Sequence, residues 1–231
     1  MYRKFVNARS PLRLLEKGLH GGLGVGNIGV VLAGPGVGKT AFLVGVALDE
    51  GLRGGSVLHV ALDKTVSHVR AHYDGVFDEL AASTHIDDVA QTHQEIDRRR
   101  SIRAYSLGSF TAAKLREAVS VETGAGKKPS LILIEGVDLA DFGRSELFAV
   151  RALASELAAE VWLSVAIEGE RIESVPSAVA QLQDVLSVIL ALEPSVEADT
   201  VRLRALKDHE NPDLSALHVS LDPRTLLLIR S

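Results

Sequence analysis

The 231-residue chain has no cysteine. Disulfides, thiolate-bound metals and a cysteine nucleophile are thereby excluded, and a reducing compartment fits. Basic charge is not in excess either: 25 lysines and arginines face 30 aspartates and glutamates, a formal net charge of -5. Without a basic field to gather polyanions, nucleic acid and anionic membrane surfaces are not favoured as partners. No apolar run approaches the roughly 18 residues of a membrane span. The opening stretch MYRKFVNARSPLRLLEKG is basic but lacks the apolar core of a signal peptide, so the cytoplasm is the expected location. Internal repeats, low-complexity tracts and linkers are missing as well. One domain is expected over residues 1–231, with residues 1–26 as a lead-in.

What is present is an alternation of short β-branched runs with longer helical patterns, which predicts parallel strands joined by helical crossovers. Strands are predicted at 28–33, 56–62, 102–107, 131–135, 161–167 and 185–192. Helices are predicted from Gly38, across 65–100 as one or two segments, over 111–123 with Gly124 as the stop, and over 145–160. After Ala191 the pattern changes. TVRLRALKDHE, SALHVSL and TLLLIR read as short strands with turns between them, an antiparallel extension of the sheet. The expected class is α/β, a mainly parallel sheet flanked by helices.

One segment carries chemistry. Ala33-Gly34-Pro35-Gly36-Val37-Gly38-Lys39-Thr40 lies directly after a predicted strand and before a predicted helix. Glycines there let the backbone adopt left-handed angles and turn successive N–H groups inward around a phosphate at a helix N-terminus. Residues 34–38 and Ala41 would line the cradle, Lys39 would reach the outer phosphates, and the Thr40 hydroxyl would ligate magnesium. The competing assignment is a plain glycine-rich turn, but the strand-loop-helix context favours nucleotide. A second metal-ligating carboxylate is expected at the tip of a buried neighbouring strand, and LILIEGVD supplies Glu135 after four aliphatic residues.

The stretch from Gly18 to Asp63, GLHGGLGVGNIGVVLAGPGVGKTAFLVGVALDEGLRGGSVLHVALD, resembles the N-terminal half of a RecA-superfamily ATPase domain, the KaiC-like branch most of all. LILIEGVD resembles that family's magnesium strand, VWLSVAIEGE the next strand, and TVRLRALKDHENPD the late strand carrying a basic finger. The resemblance implies a RecA-like P-loop NTPase core, ATP and Mg as ligands, Asp63 as the carboxylate orienting the attacking water, and Lys207 as a finger reaching a neighbouring subunit. It thus implies a homo-oligomer, a hexamer in the first instance. The chain departs from the family at three points. Glu135 stands where Asp is usual, Asp63 where Glu is usual, and Lys207-Asp208-His209 replaces Lys-x-Arg. A misplacement of about 1 Å costs on the order of a hundredfold in rate, so slow hydrolysis is expected. Two function classes follow: a slow Mg-dependent ATPase, or a hydrolysis-deficient, nucleotide-responsive regulatory or scaffold protein with a protein partner the sequence does not name.

Other features have simpler assignments. Asp63 competes with an N-cap role, Lys207 with a solvated strand end, and Glu168, a candidate phosphate sensor, with another. His68 and His72 sit four apart on a predicted helix without a third metal ligand. Arg98–Arg100 is assigned as a solvated run at a helix end, and Trp162 as core packing.

Overall fold

The computed structural model describes residues 11–231 apart from Asp63, His85, Glu170, Val196 and Glu197. The strands are β1 (Ile28–Ala33), β2 (Val57–Leu62), β3 (Arg100–Tyr105), β4 (Leu131–Glu135), β5 (Glu160–Ala166), β6 (Val188–Pro194), β7 (Val201–Asp208), β8 (Val219–Leu221) and β9 (Leu228–Arg230). They form one mixed sheet in the order β3-β2-β4-β5-β1-β6-β7-β8-β9. From β3 to β6 every pairing is parallel, and from β6 to β9 every pairing is antiparallel. The class is α/β, as the alternation of patterns predicts.

Among the described residues seven helices flank the sheet: α1 (Pro11–Gly18), α2 (Lys39–Arg53), α3 (Val66–Thr84), α4 (Val89–Arg99), α5 (Ala112–Gly124), α6 (Leu139–Leu157) and the short α7 (Ser177–Ala180). None is long and apolar enough to cross a membrane.

Strands β1, β2 and β4 are buried along their whole length, so alternate side chains feed two separate cores. Val31, Leu133 and Trp162 join α2 and α3 on one face. Val30, Ile134 and Leu163 join α5 and α6 on the other. The alternation also decides where the polar residues go. His59 and Glu135 share the parity of Ala61 and Leu133, which puts both on the face covered by α2 and α3.

Several boundaries differ from expectation for physical reasons. β3 starts at Arg100 rather than 102: it is an edge strand that pairs only with β2, and its pairing already begins with Arg100 level with Val57. Arg100 is not solvated as assigned: its guanidinium lies 4.1 Å from the centre of the Tyr73 ring and pairs with Asp97 at 2.5 Å. α6 begins at Leu139, six residues early, because the Asp138 carboxylate caps the Ala140 N–H at 2.9 Å and Gly143 absorbs a break at φ 75° inside the element. The described part of the lead-in contains α1, which no sequence pattern marked.

Candidate phosphate-loop site

β1 delivers the chain to the C-terminal edge of the sheet, where it turns through residues 34–38 and enters α2. Gly36 and Gly38 take φ 74° and 113°, the left-handed angles that the glycine spacing predicts. Gly34 has a different constraint. A Cβ there would sit 2.5 Å from the Gly169 carbonyl oxygen, so only glycine lets the loop after β5 lie against it. The Ile167 N–H donates to the Ala33 carbonyl at 3.1 Å and fastens the two loops together.

Among the described residues, the amides of Gly38, Lys39 and Thr40 donate to no acceptor, which leaves the first turn of α2 open. The Lys39 ammonium folds back over the loop and donates to the carbonyls of Ala33 at 3.0 Å and Gly34 at 2.8 Å. Burial lowers its pKa, the nearby Lys64 lowers it further, and Glu135 opposes both. Such a group gains from an arriving anion.

Thr40 and Glu135 meet as the motif and the strand end predict. The Thr40 hydroxyl donates to Glu135 Oε1, although 95 positions separate the two in the chain. On the inner side, His59 Nε2 lies 3.4 Å from Glu135 Oε2, and His59 Nδ1 lies 3.0 Å from the Tyr73 hydroxyl. On the outer side, Lys64 Nζ lies 2.6 Å from Glu135 Oε1 and 3.0 Å from Thr40 Oγ1. Burial pushes the Glu135 pKa up, but His59, Lys64 and Thr40 together outweigh it and bring it from 4.5 to about 2. Glu135 therefore stays anionic at neutral pH although its side chain is almost fully buried.

A hydroxyl and a carboxylate oxygen are hard donors of the type magnesium takes. No cluster of three histidine, aspartate or glutamate side chains that could hold a metal occurs among the described residues. This donor set fits an ion that completes its shell with phosphate and water, as magnesium does.

The other predicted site residues lie elsewhere. Asp63 falls outside the described residues. Lys207 is near the end of β7, paired with Ile189 on β6, which itself lies level with Val30 on β1. That is the sheet edge opposite the phosphate loop, so Lys207 cannot reach the loop of its own chain. Its ammonium donates to the carbonyls of Gln183 and Leu186, the latter at 2.9 Å. The adjoining turn is anchored to the lead-in: His20 Nδ1 lies 2.7 Å from Asp208 Oδ2, and His209 Nε2 lies 3.1 Å from the Gly22 carbonyl. Glu168 is exposed and lines a cleft with Asp138 and Arg171 beside the loop after β5. His68 and His72 stack edge to face at 4.9 Å without a further ligand, and Trp162 is buried with its ring against Phe42.

His59 and Lys64 were not singled out by the sequence. A histidine inside the otherwise aliphatic run VLHVAL is a usable signal, because a buried polar group needs a partner. For Lys64 no comparable signal exists.

No protein-family model matches the chain, and no curated protein matches it either.

Proposed function

We propose that the protein binds ATP at the loop of residues 33–41 and acts as a RecA/KaiC-like, slow Mg-dependent ATPase in a homo-oligomer. The observation that carries this reading is the turn itself: two glycines at positive φ open onto undonated amides, with Lys39 overhead and Thr40 against Glu135. These groups have the complementary sign and spacing for a polyphosphate.

In this reading the amides and the Lys39 ammonium hold the phosphate oxygens and neutralise charge as it develops on them. Thr40 and Glu135 would hold magnesium, which supplies a further positive charge to the phosphates when bound. Asp63 is the resemblance-based choice for orienting the attacking water, and Lys207 of a second copy is the choice for the finger. The segments at the ends of β4 and β5, EGVDLADFGRSE and EGERIESVPSAVAQLQD, each carry more acids than bases, which argues against a nucleic-acid partner.

A second reading, a nucleotide-responsive regulator that hydrolyses little, is favoured by the exchanged carboxylate lengths at Glu135 and Asp63. Calorimetric titration with ATP and magnesium tests what both readings share: wild type binds, and Lys39→Ala loses most of the affinity while remaining folded. Equal binding by both proteins overturns both readings. Phosphate release from the same samples then separates an ATPase from a regulator.

A further inference from the structure

The oxygens that a phosphate-loop site offers to a divalent ion are here already bridged by a cation of the chain. The Lys64 ammonium contacts Thr40 Oγ1 at 3.0 Å and Glu135 Oε1 at 2.6 Å, the hydroxyl and the carboxylate that also hydrogen-bond each other. An ammonium is a compact point charge with three donors on a flexible stem. Two of its donors suffice to satisfy this pair.

We propose that Lys64 is a tethered cation standing in the divalent-metal position, so that a metal ion must displace it to reach Thr40 and Glu135. The assignment rests on the phosphate-loop reading above for its ligand, but on side-chain geometry alone for its competition with metal.

Three further observations converge on this role. Glu135 is almost fully buried and anionic, and a charge in that setting needs a counter-ion. His59, on its inner side, is itself fully buried and committed to Tyr73, so it does not replace the ammonium on the outer side. The Lys64 side chain is about one-third exposed, which leaves it an outward path when a divalent ion takes its place. Lys39 stands close enough for Lys64 to lower its pKa, so the two ammonium groups repel one another. An entering triphosphate relieves that repulsion without any metal. Nucleotide affinity in this protein therefore depends only weakly on divalent ions.

The test has one arm without nucleotide and one with it. In the first, manganese uptake by the full chain is followed through the loss of the free-ion electron paramagnetic resonance signal. Lys64→Met, which keeps the stem and removes the charge, binds manganese about tenfold more tightly than wild type. Adding Glu135→Gln to Lys64→Met abolishes the gain and so locates the ion. Equal uptake by wild type and folded Lys64→Met overturns the proposal. If Lys64→Met does not fold, Lys64→Gln carries the same comparison, and equality there overturns it equally.

In the second arm ATP is titrated with magnesium and again with EDTA. Wild-type affinity changes by no more than about threefold between the two buffers, whereas Lys64→Met loses about tenfold or more on chelation. The same metal dependence in both proteins overturns the proposal. If neither protein binds ATP but the manganese difference persists, the nucleotide reading fails and the tethered cation stands.

Discussion

His59 and Glu135 face each other across β2 and β4 with Nε2 and Oε2 3.4 Å apart, and the Tyr73 hydroxyl holds the other imidazole nitrogen at 3.0 Å. The Glu135 carboxylate is thus flanked by a buried imidazole on the core side as well as by Thr40 on the loop side. Its pKa of about 2, against an ordinary 4.5, makes a stability statement. A carboxyl depressed in the folded state stabilises the fold above its unfolded value, and that contribution disappears as pH falls through the folded value. Wild type should be more stable than Glu135→Gln at pH 7 by about 3 kcal/mol. The gap should close between pH 4.5 and about 2. Urea denaturation of both proteins across that range checks the slope, and a gap independent of pH contradicts the assignment.

Gly29 gives a prediction about packing. It pairs with Trp162 across β1 and β5, and a Cβ at Gly29 would lie 2.6 Å from the indole ring. Gly29→Ala should therefore destabilise the protein by about 1–3 kcal/mol through overpacking. Melting temperature should fall by about 2–4 °C for each kcal/mol. Trp162 is the only tryptophan, so its fluorescence reports displacement of this ring alone. An unchanged emission maximum and melting temperature would show that the contact yields without cost.

Lys207 leads to a prediction about assembly. Because β7 runs antiparallel to β6, its end lies at the edge where the parallel strands begin, opposite the phosphate loop. Any role for Lys207 at a nucleotide therefore requires a second copy of the chain. Lys207→Ala and Lys39→Ala, each inactive alone, should partly restore hydrolysis when mixed. Absence of recovery, with a monomer by light scattering in the presence of ATP, would leave Lys207 as a lysine that caps the Gln183 and Leu186 carbonyls.

The features legible in the sequence are those set by neighbours along the chain. The phosphate loop is a local pattern of glycine, lysine and threonine between an apolar run and a helix, and Glu135 follows four aliphatics. Both depend on periodicity and turn chemistry, which short windows contain. The antiparallel end of the sheet was readable for the same reason. Lys64 and His59 were not, because their partners are 71 and 76 positions away, and only the pairing of β2 with β4 brings them to Glu135. The start of β3 was misplaced because Arg98–Arg100 has helical composition, while the deciding contact, Arg100 over Tyr73, comes from a different element. The helix predicted over 145–160 starts at Leu139 instead, because Asp138 caps it upstream and Gly143 absorbs the break inside it.

If the loop amides that donate to no described acceptor receive a nucleotide phosphate, amide chemical shifts of the isotope-labelled protein respond to an ATP titration. Saturable downfield shifts are expected at Gly36, Gly38, Lys39 and Thr40, with smaller changes near Glu135 and none of comparable size at the opposite sheet edge. Saturable shifts confined to another surface, with the loop amides unmoved at millimolar ATP, would contradict it.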